Sequence, residues 1–184
     1  KVDLITGERE AELGFKVVSN RYGLDTAVNM DIGGGSTEIS AYEDGEFVIS
    51  KSFPDGSLSL YSQFVTGILP TESEIKLMKE KIRSYIKAAK ISDKPRKKVC
   101  GVGGTIRLVN IINTKKLNKL YKKLLHGDMA IIKLVLRIAP ERIHTVIPGI
   151  IILVELCEHL SVKAVLVSES GVREGYLLSK IEGE

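Results

Sequence analysis

Three consecutive glycines, Gly33-Gly34-Gly35, interrupt the chain between two strand-like segments, and no regular element carries such a run in its interior. Residues 26–32 predict one strand. Residues 36–42 predict a second, in which Thr37, Ile39 and Ala41 alternate with Glu38 and Ser40. The chain must therefore turn back tightly at the glycines. Glycine permits positive φ and removes Cβ atoms, so the backbone N–H groups of Gly33, Gly34, Gly35, Ser36 and Thr37 can converge on an anion, and phosphate is the natural guest. Asp31 and Glu38 bracket that loop with two carboxylates, which would repel a bare phosphate. A divalent cation resolves the conflict. Mg²⁺ takes carboxylate and phosphate oxygens while keeping several waters, which makes Asp31 and Glu38 candidate metal ligands. The plainer reading is an ordinary hairpin flanked by two solvated acids, and the loop alone leaves both open.

The rest of the chain supplies a second loop of the same kind. Residues 99–102 form a short apolar segment followed by Gly103, Gly104 and Thr105 and then by the apolar residues 106–112. A strand, two glycines and a Thr N-cap opening a helix predict another anion pocket, because the unpaired N–H groups of a helix start point at whatever sits there. Arg107 lies within reach, in the first turn. Close strand–helix packing is the alternative reason for the glycines.

Upstream, residues 2–5 read as a strand already in progress, and Thr6 caps a helix with Glu8, Glu10 and Glu12 near its start, where acids suit the positive helix end. Downstream, residues 46–52 complete an antiparallel meander. Pro54-Asp55-Gly56 breaks it, a short helix runs to Phe64, and a longer one carries Ile75, Met78, Ile82, Tyr85 and Ile86 on one face. The basic run 92–98 reads as a solvated surface crossing. A lysine-rich helix and a second helical segment follow. A nearly all-apolar helix to Leu160 must be buried, and residues 162–167 predict a strand covered on both faces. Residues 168–175 read as a polar turn before a closing helix.

Composition sets limits. At 184 residues with 43% apolar content the chain can bury a real core. The longest apolar run, 146–154, contains Pro148 and Gly149 and falls short of the roughly 20 residues of a membrane span, so no membrane partner is expected. A net charge of +4 is a weak draw for polyanions, and nucleic acid is not expected either. Cys100 and Cys157 lack metal-ligand spacing and are expected to be reduced core residues of a cytoplasmic protein.

Five motifs in order, Thr-Gly-x-x-Glu-Ala at 6–11, Asp-Ile-Gly-Gly-Gly-Ser-Thr-Glu at 31–38, Gly-Val-Gly-Gly-Thr at 101–105, Ile-Pro-Gly at 147–149 and Gly-Val-Arg-Glu-Gly at 171–175, resemble the exopolyphosphatase / guanosine pentaphosphate phosphatase (Ppx/GppA) family. The resemblance implies an α/β fold: a ribonuclease-H-like domain of the actin-like ATPase superfamily, with a mixed sheet flanked by helices. It implies that residues 1–184 are the second domain of a two-domain core whose N-terminal domain would be the partner across a cleft, with a homodimer as a further arrangement. The activity implied is Mg-assisted hydrolysis of a phosphoanhydride bond in inorganic polyphosphate or guanosine pentaphosphate. Glu10 resembles the family's catalytic glutamate that orients water, and Asp31 with Glu38 its metal-linked pair. The alternatives are a non-catalytic polyphosphate or nucleotide sensor and an ATPase of the sugar-kinase or chaperone type. Two departures are visible: the family often carries Arg where this chain has Ser59, and the stretch 129–140 is shorter than the family's usual helix-plus-linker.

Overall fold

The computed structural model describes residues 4–23, 26–44, 46–91, 98–113, 117–162, 164–168 and 171–183. Its centre is a five-stranded sheet in the order β3-β2-β1-β4-β5, made of β1 (Ala27–Ile32), β2 (Thr37–Glu43), β3 (Glu46–Phe53), β4 (Lys98–Val102) and β5 (Ala164–Val167). The first three strands are the predicted antiparallel meander, and β4 and β5 join it in parallel. Helices flank both faces.

Strand alternation decides what each face meets. Val28, Met30, Ile32, Ile39 and Ala41 face the larger core, which they share with α3 (Glu72–Ala89), α4 (Gly104–Asn113) and α7 (Val146–His159). Each of these helices presents what its sequence pattern requires. In α3 the buried apolar residues are Ile75, Met78, Ile82 and Ile86, at spacings of three and four, and Thr71 caps its start in a reciprocal pair with the buried Glu74. Helix α7 is buried from Val146 to Leu156, the all-round cover that its apolar sequence predicts. Its single buried carboxylate, Glu155, accepts from Arg83 Nε at 2.6 Å and lies 3.5 Å from Lys79 Nζ, both on α3. An unpaired carboxylate there would carry the full desolvation cost.

The opposite face is covered by α1 (Gly7–Tyr22) and α8 (Val172–Ile181), around Phe15, Val18, Ala27, Tyr42 and Cys100. Thr6 caps α1 as expected, its Oγ1 accepting from the Arg9 N–H. Three shorter elements complete the chain: α2 (Ser57–Phe64), the lysine-rich α5 (Leu117–Leu125), and α6 (Met129–Ile138), which leads into a 3₁₀ turn over Pro140–Arg142. Among the described residues no helix is long and apolar enough to cross a membrane, and both cysteines are free thiols.

Three sequence expectations need correction. β5 is covered on both faces only in part: Val165 and Val167 pack on the larger core and Leu166 on the smaller one, yet all three are half-buried and Ala164 is exposed. Leu4 and Ile5 do not continue a strand; Leu4 is almost wholly exposed, and residues 2 and 3 lie outside the described residues. Residues 172–175 belong to α8 instead of a turn, since the Glu174 carboxylate reaches back to accept the Gly171 N–H at 2.8 Å and starts the helix there. The basic run over 92–97 also lies outside the described residues.

The contact of α8 with α1 turns on Gly175, where a Cβ would come within 2.7 Å of the Leu13 carbonyl carbon, a backbone atom that cannot swing aside. Gly175→Val should therefore force the two helices apart and cost about 2–3 kcal/mol, lowering the melting temperature by roughly 5 °C or more. Leu177→Ala on the same helix, at a residue 62% exposed, should leave it nearly unchanged. Thermal denaturation of the two variants beside the parent protein makes the comparison.

Candidate active site

β1 and β4 run parallel with Asp31 opposite Val102, so the chain leaves both strands at the same end of the sheet and the two glycine loops meet there. The contact is close. Gly103 has φ +105°, and a Cβ on it would collide with the Ile32 carbonyl and lie 3.2 Å from Asp31 Oδ1. Only glycine satisfies both the left-handed backbone and the contact.

The first loop is a hairpin in which the Gly33 N–H donates to Ser36 O at 3.0 Å. None of Gly33, Gly34 and Gly35 has positive φ, contrary to expectation. What the glycines provide is room for α2. The N–H of Ser57 donates to Gly33 O at 2.9 Å, and those of Leu58 and Ser59 donate to Gly34 O at 2.8 and 3.0 Å. Ser57 Oγ adds a bond to Gly33 O at 3.1 Å. This approach needs Gly56, whose Cβ would otherwise stand 2.5 Å from Gly33 O. The N–H and C=O of one trans peptide point in opposite directions. With the carbonyls of Gly33 and Gly34 turned into α2, the N–H groups of Gly34 and Gly35 point away from it, on an exposed stretch of loop. Ser59, standing where the family often has Arg, takes the Gly56 N–H on its Oγ at 2.7 Å and closes the first turn of α2.

Thr37 and Thr105 differ from the sequence reading in what their hydroxyls do. Thr37 is fully buried and donates its hydroxyl to Asp55 O at 2.9 Å. Thr105 does not cap α4. The Arg107 N–H bonds Gly103 O, which makes Gly103 the cap residue, and the buried Thr105 side chain packs on Gly149 of α7. The donors left at the two loops include the backbone N–H groups of Gly34 and Gly35 and those of the first turn of α4, Gly104 to Ile106, beside the half-buried Ser36 with its hydroxyl.

The three acids lie on the α1 side of the sheet. Asp31 and Glu38 are directly opposite in the β1–β2 ladder and so share that face. Glu38 pairs in turn with Ser52 of β3, whose hydroxyl donates to Glu38 Oε1 at 3.1 Å. Helix α1 crosses above this row, with Ala11 O accepting from Ser40 Oγ at 3.5 Å and Gly14 lying over Asn29. Glu10, one turn before Gly14, is thereby carried over the carboxylates. Burial, then the charges of Glu38 and Glu10, push the Asp31 carboxyl up to about 6, while Arg107 pulls it down. Burial and then Glu38 also raise Glu10, which outweighs the opposite pull of a helix start.

Arg142 escaped sequence reasoning. Its guanidinium occupies the space where a Gly104 Cβ would be, flat against the start of α4, with Glu141 3.6 Å away. A glycine at the first position of α4 was the one trace of it in the sequence, and that trace does not name the partner. Gly56, Ser52 and Asp55 were missed for the same reason.

Solved structures with this architecture include the Aquifex aeolicus member of the Ppx/GppA family, 23% identical with a TM-score of 0.84, and an exopolyphosphatase from Cytophaga hutchinsonii, 24% identical with a TM-score of 0.82. Each superposition covers 100% of this chain and 66% of the other, so the chain spans just under two thirds of either relative. No curated protein matches it in sequence. At such identities the structures establish the fold, while the match of residues 1–184 to the Ppx/GppA phosphatase family model establishes the lineage: this protein belongs to the Ppx/GppA phosphatase family.

Proposed function

We propose that the protein hydrolyses phosphoanhydride bonds, releasing the terminal phosphate of inorganic polyphosphate or the 5′ phosphate of guanosine pentaphosphate. The observation that carries this reading is the meeting of the two glycine loops over Asp31, with Gly103 pressed against Ile32 and the Asp31 carboxylate. Backbone donors of both loops then face one anion, next to three mutually repelling acids. In phosphoryl transfer the protein contributes chiefly position and charge, which is what this arrangement offers.

The acids fit Mg²⁺. Asp31 is a hard oxygen donor whose carboxyl is pushed up to about 6 by burial and then by the charges of Glu38 and Glu10. Among the described residues no three of His, Cys, Asp and Glu come close enough to enclose a metal by themselves, so most ligands would be water and phosphate oxygens, the usual habit of Mg²⁺. Asp31 and Glu38 would hold it, with Ser52 orienting Glu38. Bound there, the cation would offset charge on the phosphates. Glu10, its carboxyl raised by burial and then by Glu38, would orient or deprotonate the attacking water, and Arg107 and Arg142 would face the substrate's remaining charge. The opposing wall of the cleft would come from the third of the relatives' length that this chain does not span, so the 184-residue chain alone should bind phosphate weakly and turn over little. Phosphate release from long polyphosphate, guanosine pentaphosphate and ATP, assayed in parallel with the two-domain protein, tests the reading; release from none of them would overturn it.

The three carboxylates should separate kinetically. Glu10→Gln in the two-domain protein should lower kcat ~10²-fold or more with little change in KM. Asp31→Asn and Glu38→Gln should lose activity that raised Mg²⁺ partly restores. A Mg²⁺ titration of kcat and KM for all three distinguishes these roles.

Asp31 also predicts a pH effect on stability without metal. A carboxyl whose folded pKa lies near 6 rather than 3.8 binds its proton more tightly when folded, so stability falls as pH rises from about 4 to 6 and stays reduced above that. In EDTA, Asp31→Asn should raise the melting temperature by roughly 5 °C at pH 8 and leave it unchanged near pH 4. Mg²⁺ should stabilise the parent protein at pH 8 and not the variant.

A further inference from the structure

Asp55 is a buried acid for which the reaction above has no use. It lies between β3 and α2, is 2% exposed, and is held by neutral donors. Tyr85 OH on α3 donates to its Oδ2 at 2.5 Å, and Gln63 Nε2 at the far end of α2 donates to its Oδ1. Its backbone carbonyl takes the hydroxyl of Thr37, the residue that ends the first glycine loop. The next residue is Gly56, pressed against Gly33 and Gly34, and the three after it make the bonds to the loop carbonyls. One residue thus ties together α3, both ends of α2 and the base of the loop. A carboxylate has two oxygens and so can hold Tyr85 and Gln63 at once, which a single hydroxyl or amide oxygen does less well.

The geometry points to Asp55 as a positioning residue for the first loop. By clamping α2 between Tyr85 and Thr37, it keeps the N–H groups of Ser57, Leu58 and Ser59 on the carbonyls of Gly33 and Gly34, and so aims the opposite N–H groups, those of Gly34 and Gly35, at the phosphate. The inference rests on the phosphate-loop reading for its ligand, but the clamp itself is measurable without any ligand.

Two variants test it in the 184-residue chain. Tyr85→Phe removes one donor from the carboxylate and leaves the ring packed on Phe53. Asp55→Asn keeps the shape and replaces one acceptor oxygen with a donor. Without ligand, amide hydrogen exchange at Leu58 and Ser59 should quicken by about tenfold in both variants, while exchange in β1 and α7 stays as in the parent protein. With inorganic triphosphate as probe, ¹⁵N amide shifts of Gly34 and Gly35 should titrate with at least about fivefold weaker affinity in the variants. The shifts of Gly104 to Ile106, at the second loop, should still respond. Unchanged exchange at Leu58 and Ser59 in a folded Tyr85→Phe protein overturns the clamp. Faster exchange with unchanged triphosphate affinity at Gly34 and Gly35 overturns the link from clamp to loop. If the parent protein itself shows no triphosphate shifts at Gly34 and Gly35, the phosphate-loop reading fails, and the exchange data still judge the clamp. Should Asp55→Asn not fold, Tyr85→Phe decides alone.

Discussion

The parallel pairing of β1 with β4 is the constraint from which the site follows. Antiparallel neighbours send their connections to opposite ends of a sheet, whereas a parallel pair leaves both exits at one end. Putting Asp31 opposite Val102 therefore brings a hairpin and a helix start into contact although they are some 70 residues apart in sequence. The cost is a crowded junction. Gly103, at φ +105°, leaves no room for a Cβ against the Ile32 carbonyl, and the start of α4 stands beside Asp31.

The meander then adds the chemistry. A strand pairing that aligns Asp31 with Glu38, and Glu38 with Ser52, puts the acids in one row on a face that α1 covers only in part. Glu38 ends up buried and Asp31 partly exposed, so two carboxylates facing each other across one ladder have different environments. A helix carrying Glu10 across that row adds a third charge. The outcome is electrostatic strain at one end of the sheet, while on the α7 side the buried Glu155 has its cations in place against the hydrocarbon core.

Much of this was legible in the residues. Period-two alternation in residues 26–52 predicts the meander, and the stripe through Ile75, Met78, Ile82 and Ile86 predicts the buried face of α3, because both depend only on local periodicity. The motif order identified the family and placed Glu10, Asp31 and Glu38 among the residues that the fold does bring together. What could not be read was which distant group each glycine or threonine meets. Thr105 has the sequence context of a helix cap yet packs on Gly149, and Thr37 turns its hydroxyl to Asp55. The Gly33–Gly35 run suggested unusual torsions, whereas its role is to admit α2. Arg142 reaches Gly104 across 38 positions, a contact set by how α6 and α7 pack and encoded in no short pattern. β5 reads as covered on both faces, and both faces do meet core side chains, but hydrophobicity says nothing of how complete that cover is.

The inward turn of both threonine hydroxyls has a consequence for how such a site can change over time. Peptide N–H groups are present whatever side chain follows, and they do not ionise. A grip on phosphate made from them, as proposed above, would be beyond the reach of most point substitutions and would lose none of its donors across the pH range in which the protein is folded. On the proposed reading, discrimination among phosphate compounds is written in the side chains around the loops, at places such as Arg107 and Arg142, where a substitution alters charge and leaves the peptide N–H groups themselves in place. On the proposed function, the retention of a phosphate and the choice of which phosphate are separately adjustable in this fold.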